Sequence, residues 1–213
     1  MAPDDPVARL LAATRDALAA ARLNFGVPLA ELDRALGEFD GLAPPAGPAR
    51  DVPATVRDHL KTRDIAHPEA GLLNDRLVGA ADRLPWTGAF YPEDGYPDIP
   101  LFRAGYAFSM VIGDPRFSRD VAQTSRTIGL SYTVQAPKTV YPEHAHAAVE
   151  VYYVIAGKAL WKRGDEPWVE RYPGEVVLHT TGMRHAMSTG DEPLVACALW
   201  VSHTDSPVVV VRA

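Results

Sequence analysis

What this chain of 213 residues lacks narrows the field first. It has a single cysteine, Cys197, so no internal disulfide can form and no cysteine cage can hold a metal. Cys197 sits in the apolar run "LVACALW" and is expected to be an inert core thiol, because a reactive one needs an activating base beside it. No stretch approaches the roughly 18 apolar residues that cross a bilayer. The opening "MAPDDPVARLLAATRDALAAARLNFG" is helix-like and acidic at its tip, without the apolar core or cleavage site of a secretory signal. A cytoplasmic, soluble protein with no membrane partner is therefore expected. Basic residues are dispersed and the formal net charge is −6, so no nucleic-acid partner is indicated. There is no repeat of solenoid period and no low-complexity tract.

What remains is a chain 47% hydrophobic and 23% charged, which can bury one good core with a helical extension. In residues 5–25, Val7, Leu10, Leu11, Ala17, Leu18, Ala21 and Phe25 fall mostly at three- and four-residue spacing and make one apolar stripe, with Thr14 its one polar interruption. A second helix is expected over 28–39, opened by Pro28 and striped by Leu29, Leu32, Leu36 and Phe39. Pro44, Pro45, Pro48 and Pro53 then break all regularity. Shorter helices are expected over 54–62 and 69–83, and residues 84–100, rich in Pro, Gly and aromatics, are expected to form a loop. From about residue 103 the segments are short, β-branched and aromatic, punctuated by Gly, Pro and Asp, the mark of an all-β barrel or sandwich. The division expected is a helical extension with a Pro-rich linker over 1–100 and a β-barrel over 101–213.

One strand-like stretch is unusually polar: "YPEHAHAAVEVYYVIAG", residues 141–157. Residues two apart on a strand share a face, so His144 and His146 point together, as do Glu150, Tyr152 and Val154. Without a bulge at "AAV" both groups share one parity and face inward, leaving Glu143, Val151, Tyr153 and Ile155 outside. Two imidazoles and a carboxylate inside a small barrel are costly unless a cation satisfies them. Downstream, "PGEVVLHTTGMRHAMST" carries His185 at the start of a strand that can return beside the first. His144, His146, Glu150 and His185 then offer three nitrogens and one oxygen to one divalent transition metal ion: Fe(II), Mn(II), Ni(II), Co(II) or Zn(II). His179, six residues before His185, is either a group touching a ligand or a rim residue. His59, His67 and His203 lack such company.

These residues carry a resemblance. His144-Ala-His146-x3-Glu150-x6-Gly157 is similar to the first motif of the cupin superfamily, G-x5-H-x-H-x3,4-E-x6-G, with Lys138 in place of the opening Gly. Gly174, Gly182 and His185 match the second motif, with Thr180 and Thr189 replacing its Pro and Asn. More narrowly, Tyr141-Pro-x-His144-x-His146-x3-Glu150-x-Tyr152, followed by Trp161, "PG", "RHAM" and "ALW", resembles the cupin-type dimethylsulfoniopropionate (DMSP) lyases over roughly residues 130–203. The resemblance implies a mainly β, cupin-type barrel (double-stranded β-helix or jelly roll) behind an α-helical N-terminal segment. It also implies metal-dependent β-elimination of DMSP to dimethyl sulfide and acrylate, with Tyr152 as base and Tyr141 lining the site and placing the substrate.

The chemistry is consistent with the residues. A metal holding the substrate carboxylate withdraws developing enolate charge. Tyr152 is one pleat from Glu150, and although a free tyrosine of pKa about 10 is a poor base, a neighbouring dication favours phenolate. The small-molecule substrate, a sulfonium carboxylate, needs aromatic faces for its cation. Trp200 is the leading candidate, ahead of Trp161, Trp86, Tyr91 and Tyr96. The 84–100 loop is expected to act as a lid. Two other classes share the ligand set: an Fe(II) dioxygenase of a small molecule and a non-catalytic, ligand-binding cupin. The N-terminal helices either support a homodimer or cover one barrel face.

Overall fold

The computed structural model describes residues 5–25, 30–39, 41, 48–88, 98–116 and 120–212. Helix α1 (Pro6–Ala21) starts where Asp5 caps it, the carboxylate accepting from the N–H groups of Val7 at 2.8 Å and Ala8 at 3.0 Å, with Pro6 in the first turn where no N–H is needed. Then come α2 (Ala30–Phe39), α3 (Ala54–His59) and α4 (Pro68–Ala80), close to the expected segments. The expectation of a loop over 84–100 needs correcting at both ends. Trp86–Gly88 is a strand, β1, and Asp98–Gly105 is a helix, α5. Its eight residues are too few for a visible stripe, and Pro100 is tolerated because it lies in the first turn. Residues 89–97, with Tyr91, Tyr96 and the expected lid, lie outside the described residues.

The strands that follow are β2 (Tyr106–Gly113), β3 (Gln123–Thr124), β4 (Gly129–Gln135), β5 (Val140–Ala145), β6 (Glu150–Gly157), β7 (Ala159–Arg163), β8 (Val169–Arg171), β9 (Val176–His179), β10 (His185–Ser188), β11 (Leu194–Trp200) and β12 (Val209–Val210). Among the described residues they form two sheets. One runs β1-β2-β4-β11-β6-β9 with β3 beside β2, and the other runs β12-β5-β10-β7-β8. Apart from the parallel β2–β3 pair every pairing is antiparallel, which is the expected cupin-type barrel.

The larger sheet is buried on both faces. Phe108, Tyr152, Val154, Leu194, Ala196 and Ala198 face the second sheet across the barrel interior. Val151, Tyr153, Ile155, Val195, Cys197 and Leu199 face the other way and pack with the stripes of α1, α2 and α4. The alternation expected for β6 therefore holds, but its outer set is covered by helices, not water. The helical stripes are thus occupied by this sheet. Thr14, the polar interruption in α1, is fully buried and lies 2.5 Å from the Tyr132 hydroxyl of β4, while its Oγ1 also donates to the Leu10 carbonyl at 2.9 Å. Burial pushes the Cys197 thiol up to about 12, so it is inert as expected. No helix among the described residues is long and apolar enough to cross a membrane.

Two positions of the cupin signature have a backbone explanation. Gly157 has φ +70°, and a Cβ there would lie 1.7 Å from the Pro193 carbonyl oxygen, so no larger residue fits. Lys138, standing where the signature has glycine, adopts φ +56°, and its N–H still donates to the Gly190 carbonyl at 2.8 Å. The turn is kept at the expense of a left-handed residue with a Cβ. Lys138→Gly should therefore stabilise the protein by about 1 kcal/mol, raising the melting temperature by roughly 2–4 °C. An unchanged or lower melting temperature would show that the turn carries no such strain.

Candidate metal centre

Strand register builds the site as two facing rows at one end of the barrel. In the larger sheet Glu150 of β6 pairs with His179 of β9 on one side and Trp200 of β11 on the other. In the smaller sheet His185 of β10 pairs with His144 of β5, the return expected from sequence. His146 lies just beyond β5, where its carbonyl accepts from the Gly182 N–H at 2.9 Å in the turn before His185. His144, His146, Glu150, His179 and His185 are all buried. Among the described residues, the groups close enough to hold a metal are His144, His146 and His185 and, sharing His185, Glu150, His179 and His185. Within each set the donor atoms lie within 4.8 Å of one another. His59, His67 and His203 belong to neither.

The tautomers follow from the partners. His144 Nδ1 is 2.8 Å from the Pro142 carbonyl, His146 Nδ1 3.1 Å from that of Ala148, and His185 Nδ1 2.8 Å from that of Met183. A carbonyl can only accept, so each Nδ1 carries the proton and donates, and in the neutral ring Nε2 carries the lone pair. On His146, whose pKa the Glu150 contact raises, a protonated Nε2 donates to that carboxylate in the metal-free protein. His185 Nε2 is buried without a hydrogen-bond partner, although Glu150 Oε2 is 3.3 Å away. An orphaned buried lone pair is costly unless something cationic meets it. These residues fit a divalent ion.

Glu150 is the only carboxylate in these sets. Trp200 Nε1–H donates to Oε1 at 2.8 Å, His179 Nδ1–H donates to Oε2 at 3.1 Å, and His146 Nε2 is 3.2 Å from Oε2. Burial works against its charge, but His146, His179 and His185 outweigh burial and hold it well below the usual carboxylate range. The same neighbours split the histidines. Burial and His185 hold His144 well below 6.5, burial depresses His179 to about 4, and for His146 the Glu150 contact overcomes burial and raises it.

Tyr152 points inward one pleat beyond Glu150, with its ring 4.8 Å from Trp161 and 5.6 Å from His179. Tyr141 also reaches the interior, although strict alternation from His144 would turn it outward. An extra residue on β5 opposite His185–Met187 makes a bulge that puts Tyr141 and His144 on one face, stacked at 4.1 Å and 11°. Phe102 of α5 stacks on Tyr141 at 4.4 Å, and Tyr106 meets it edge-on at 5.1 Å. Burial, then Tyr141 and Glu150, hold the Tyr106 hydroxyl well above the usual phenol range, so it stays protonated. Sequence reasoning missed Phe102 and Tyr106, since α5 went unseen and β2 shows no polar pattern. Trp86 stays away from the site, its Nε1–H donating to the Ala81 carbonyl at 2.8 Å.

A pH dependence follows for metal-free protein. His144 and His179 are held neutral when folded and take up protons on unfolding as pH falls below about 6.5. The unfolded state then binds more protons, so stability falls between about pH 6.5 and pH 4; His146, with the opposite shift, offsets part of this. Urea midpoints of chelator-treated protein should decline from pH 7 to pH 5, and a flat or rising midpoint would contradict the assignment.

The DMSP lyase (dimethylsulfoniopropionate lyase) family model matches residues 58–196, more than half of the chain. The DMSP lyase DddQ of Ruegeria pomeroyi is 28% identical over 165 residues, covering 76% of each chain. A putative DMSP lyase of Cereibacter sphaeroides, DddL, is 32% identical over 131 residues, which span 61% of this chain but only 50% of that relative. Among solved structures, a chain from the crystal structures of the DMSP lyases RdDddP and RnDddQII superposes with a TM-score of 0.68 at 24% identity, covering 97% of this chain and 98% of the other. The R. pomeroyi DddQ structure gives 0.66 at 23% identity, covering 93% and 96%. The helical segment and the barrel are thus shared as one fold, and the chain belongs to the DMSP lyase family.

Proposed function

We propose that this protein cleaves dimethylsulfoniopropionate by metal-dependent β-elimination, giving dimethyl sulfide and acrylate. The observation that carries this is a buried carboxylate, Glu150, with His146 Nε2 at 3.2 Å and His185 Nε2 at 3.3 Å, both of which also group with His144, and with Tyr152 one pleat away, in a chain of this family. His144, His146, Glu150 and His185 would hold the ion. Their nitrogen-and-oxygen set suits Fe(II), Mn(II), Ni(II), Co(II) or Zn(II) without selecting one. When bound, such an ion supplies a Lewis acid that stabilises negative charge developing on the substrate carboxylate.

The chain's own residues then have separate tasks. Tyr152, as phenolate, takes the proton from the carbon next to the carboxylate. The electron pair left behind forms the carbon–carbon double bond, the bond to sulfur breaks, and the sulfonium leaves as neutral dimethyl sulfide with that bond's electrons. Trp161, edge-on to Tyr152, restrains the ring that carries the base. Tyr141, between Phe102 and His144, presents a fixed ring and hydroxyl to place the substrate. Trp200 is half-buried, so its ring can face the sulfonium while its N–H stays on Glu150, a cation–π contact worth roughly 0.5–2 kcal/mol.

The test is dimethyl sulfide release measured by headspace gas chromatography, anaerobically, from protein reloaded separately with each of the five metals. Metal-dependent release is expected, lost in His146→Ala together with the metal. Tyr152→Phe should keep the metal and lose roughly 10²–10⁴ in rate. Tyr152→Phe with full activity would remove Tyr152 as base, and turnover that requires O2 would point to a dioxygenase. Trp200→Phe keeps a ring but not the donor, so it should weaken metal retention more than it raises KM. The reverse pattern would assign Trp200 to the substrate alone.

A further inference from the structure

His179 is the one buried histidine of this cluster that the proposed chemistry leaves without a task. It is fully buried, and the β6–β9 register sets it directly beside Glu150. Its Nδ1–H donates to Glu150 Oε2 at 3.1 Å. Its ring lies on that of His185 at 3.8 Å and 24°, a face-to-face stack. One side chain therefore touches two of the four groups assigned to the ion. Nε2 on the far side of the ring has no partner. The carboxylate therefore dictates the tautomer, because only a protonated Nδ1 can donate to it.

We propose that His179 is a positioning residue of the metal centre, holding the plane of the Glu150 carboxylate and the ring of His185 so that both present their donor atoms to one ion. This rests on the metal-dependent reading above and adds a residue to it. Trp200 holds Glu150 at Oε1, and although His146 Nε2 lies 3.2 Å from Oε2, that nitrogen is assigned to the ion. His179 is therefore the donor that stays on Oε2 and keeps the carboxylate from pivoting when the ion is bound. His185 has its Nδ1 tied to Met183, and the His179 stack limits the remaining rocking of its ring. Partners of this kind typically contribute 10- to 100-fold in metal affinity.

The test uses the full chain, stripped by chelator and titrated with Co(II), whose visible absorption bands report ligand geometry. His179→Phe keeps a ring for the stack but has no donor. His179→Leu is a second donorless variant should Phe not be accommodated. His179→Asn restores an N–H donor near the Nδ1 position. Expected are a 10- to 100-fold weaker Co(II) affinity and displaced bands for the donorless variants, with most of the affinity recovered by His179→Asn. Donorless variants that bind Co(II) as the wild type does, with unchanged bands, would overturn the proposal, even with a lowered melting temperature, because packing alone does not move the spectrum. Weakened binding that His179→Asn fails to recover would also overturn it, in favour of His179 as a direct ligand. Wild-type protein that takes up no Co(II), or any other metal of the five, would sink the metal reading and this inference together.

Discussion

A charged carboxylate held out of water inside an apolar barrel is the costly element around which this protein is arranged. Removing such a group from water is expensive unless hydrogen bonds and opposite charge replace the solvent. Glu150 meets that demand through strand register: its two neighbours in the sheet, Trp200 and His179, each donate to one oxygen, and His146 closes on the second. Three imidazoles with their Nδ1 atoms committed to backbone carbonyls surround what is left. Among Glu150 and the four histidines, the buried atoms left without a hydrogen bond are Nε2 of His185, which a cation would meet, and Nε2 of His179. Local polarity that destabilises an ordinary core is here gathered into groups close enough to hold a metal ion.

The helices serve that arrangement from a distance. A sheet with one wet face can shift or breathe, whereas the larger sheet is sandwiched between the barrel interior and the stripes of α1, α2 and α4. Thr14 and Tyr132 join helix to sheet through a buried hydroxyl pair, which specifies how α1 sits as well as that it sits. On the smaller sheet, α5 brings Phe102 onto Tyr141 and so fixes an aromatic wall beside His144. Arg163 of β7 adds a seam, its Nε–H donating to the Leu178 carbonyl of β9 at 2.9 Å, across the gap between the two sheets.

Much of this was legible along the chain. Period-two alternation is local, so Glu150, Tyr152 and Val154 could be turned inward and Val151, Tyr153 and Ile155 outward from spacing alone. The helical stripes were equally plain. What spacing does not encode is which strand lies beside which. His179 and Trp200 become neighbours of Glu150 only through non-local register, and each does something at the carboxylate that no short window reveals. Tyr141 shows the complementary failure: its inward direction depends on a bulge, an insertion visible only against the partner strand. The helix α5 was missed because two turns give too little periodicity, and Lys138 looked like a departure from a motif until its positive φ showed that the turn survives the substitution.

The claim on which everything else rests is that these side chains enclose one metal ion. The most direct measurement is anomalous diffraction at the metal's absorption edge from crystals of the metal-loaded protein soaked with acrylate. A single strong peak per chain is expected, enclosed by Nε2 of His144, His146 and His185 and an oxygen of Glu150, with acrylate carboxylate density against it and the Tyr152 hydroxyl facing the carbon next to that carboxylate. A peak elsewhere, or none in protein shown to be folded and metal-exposed, would contradict it.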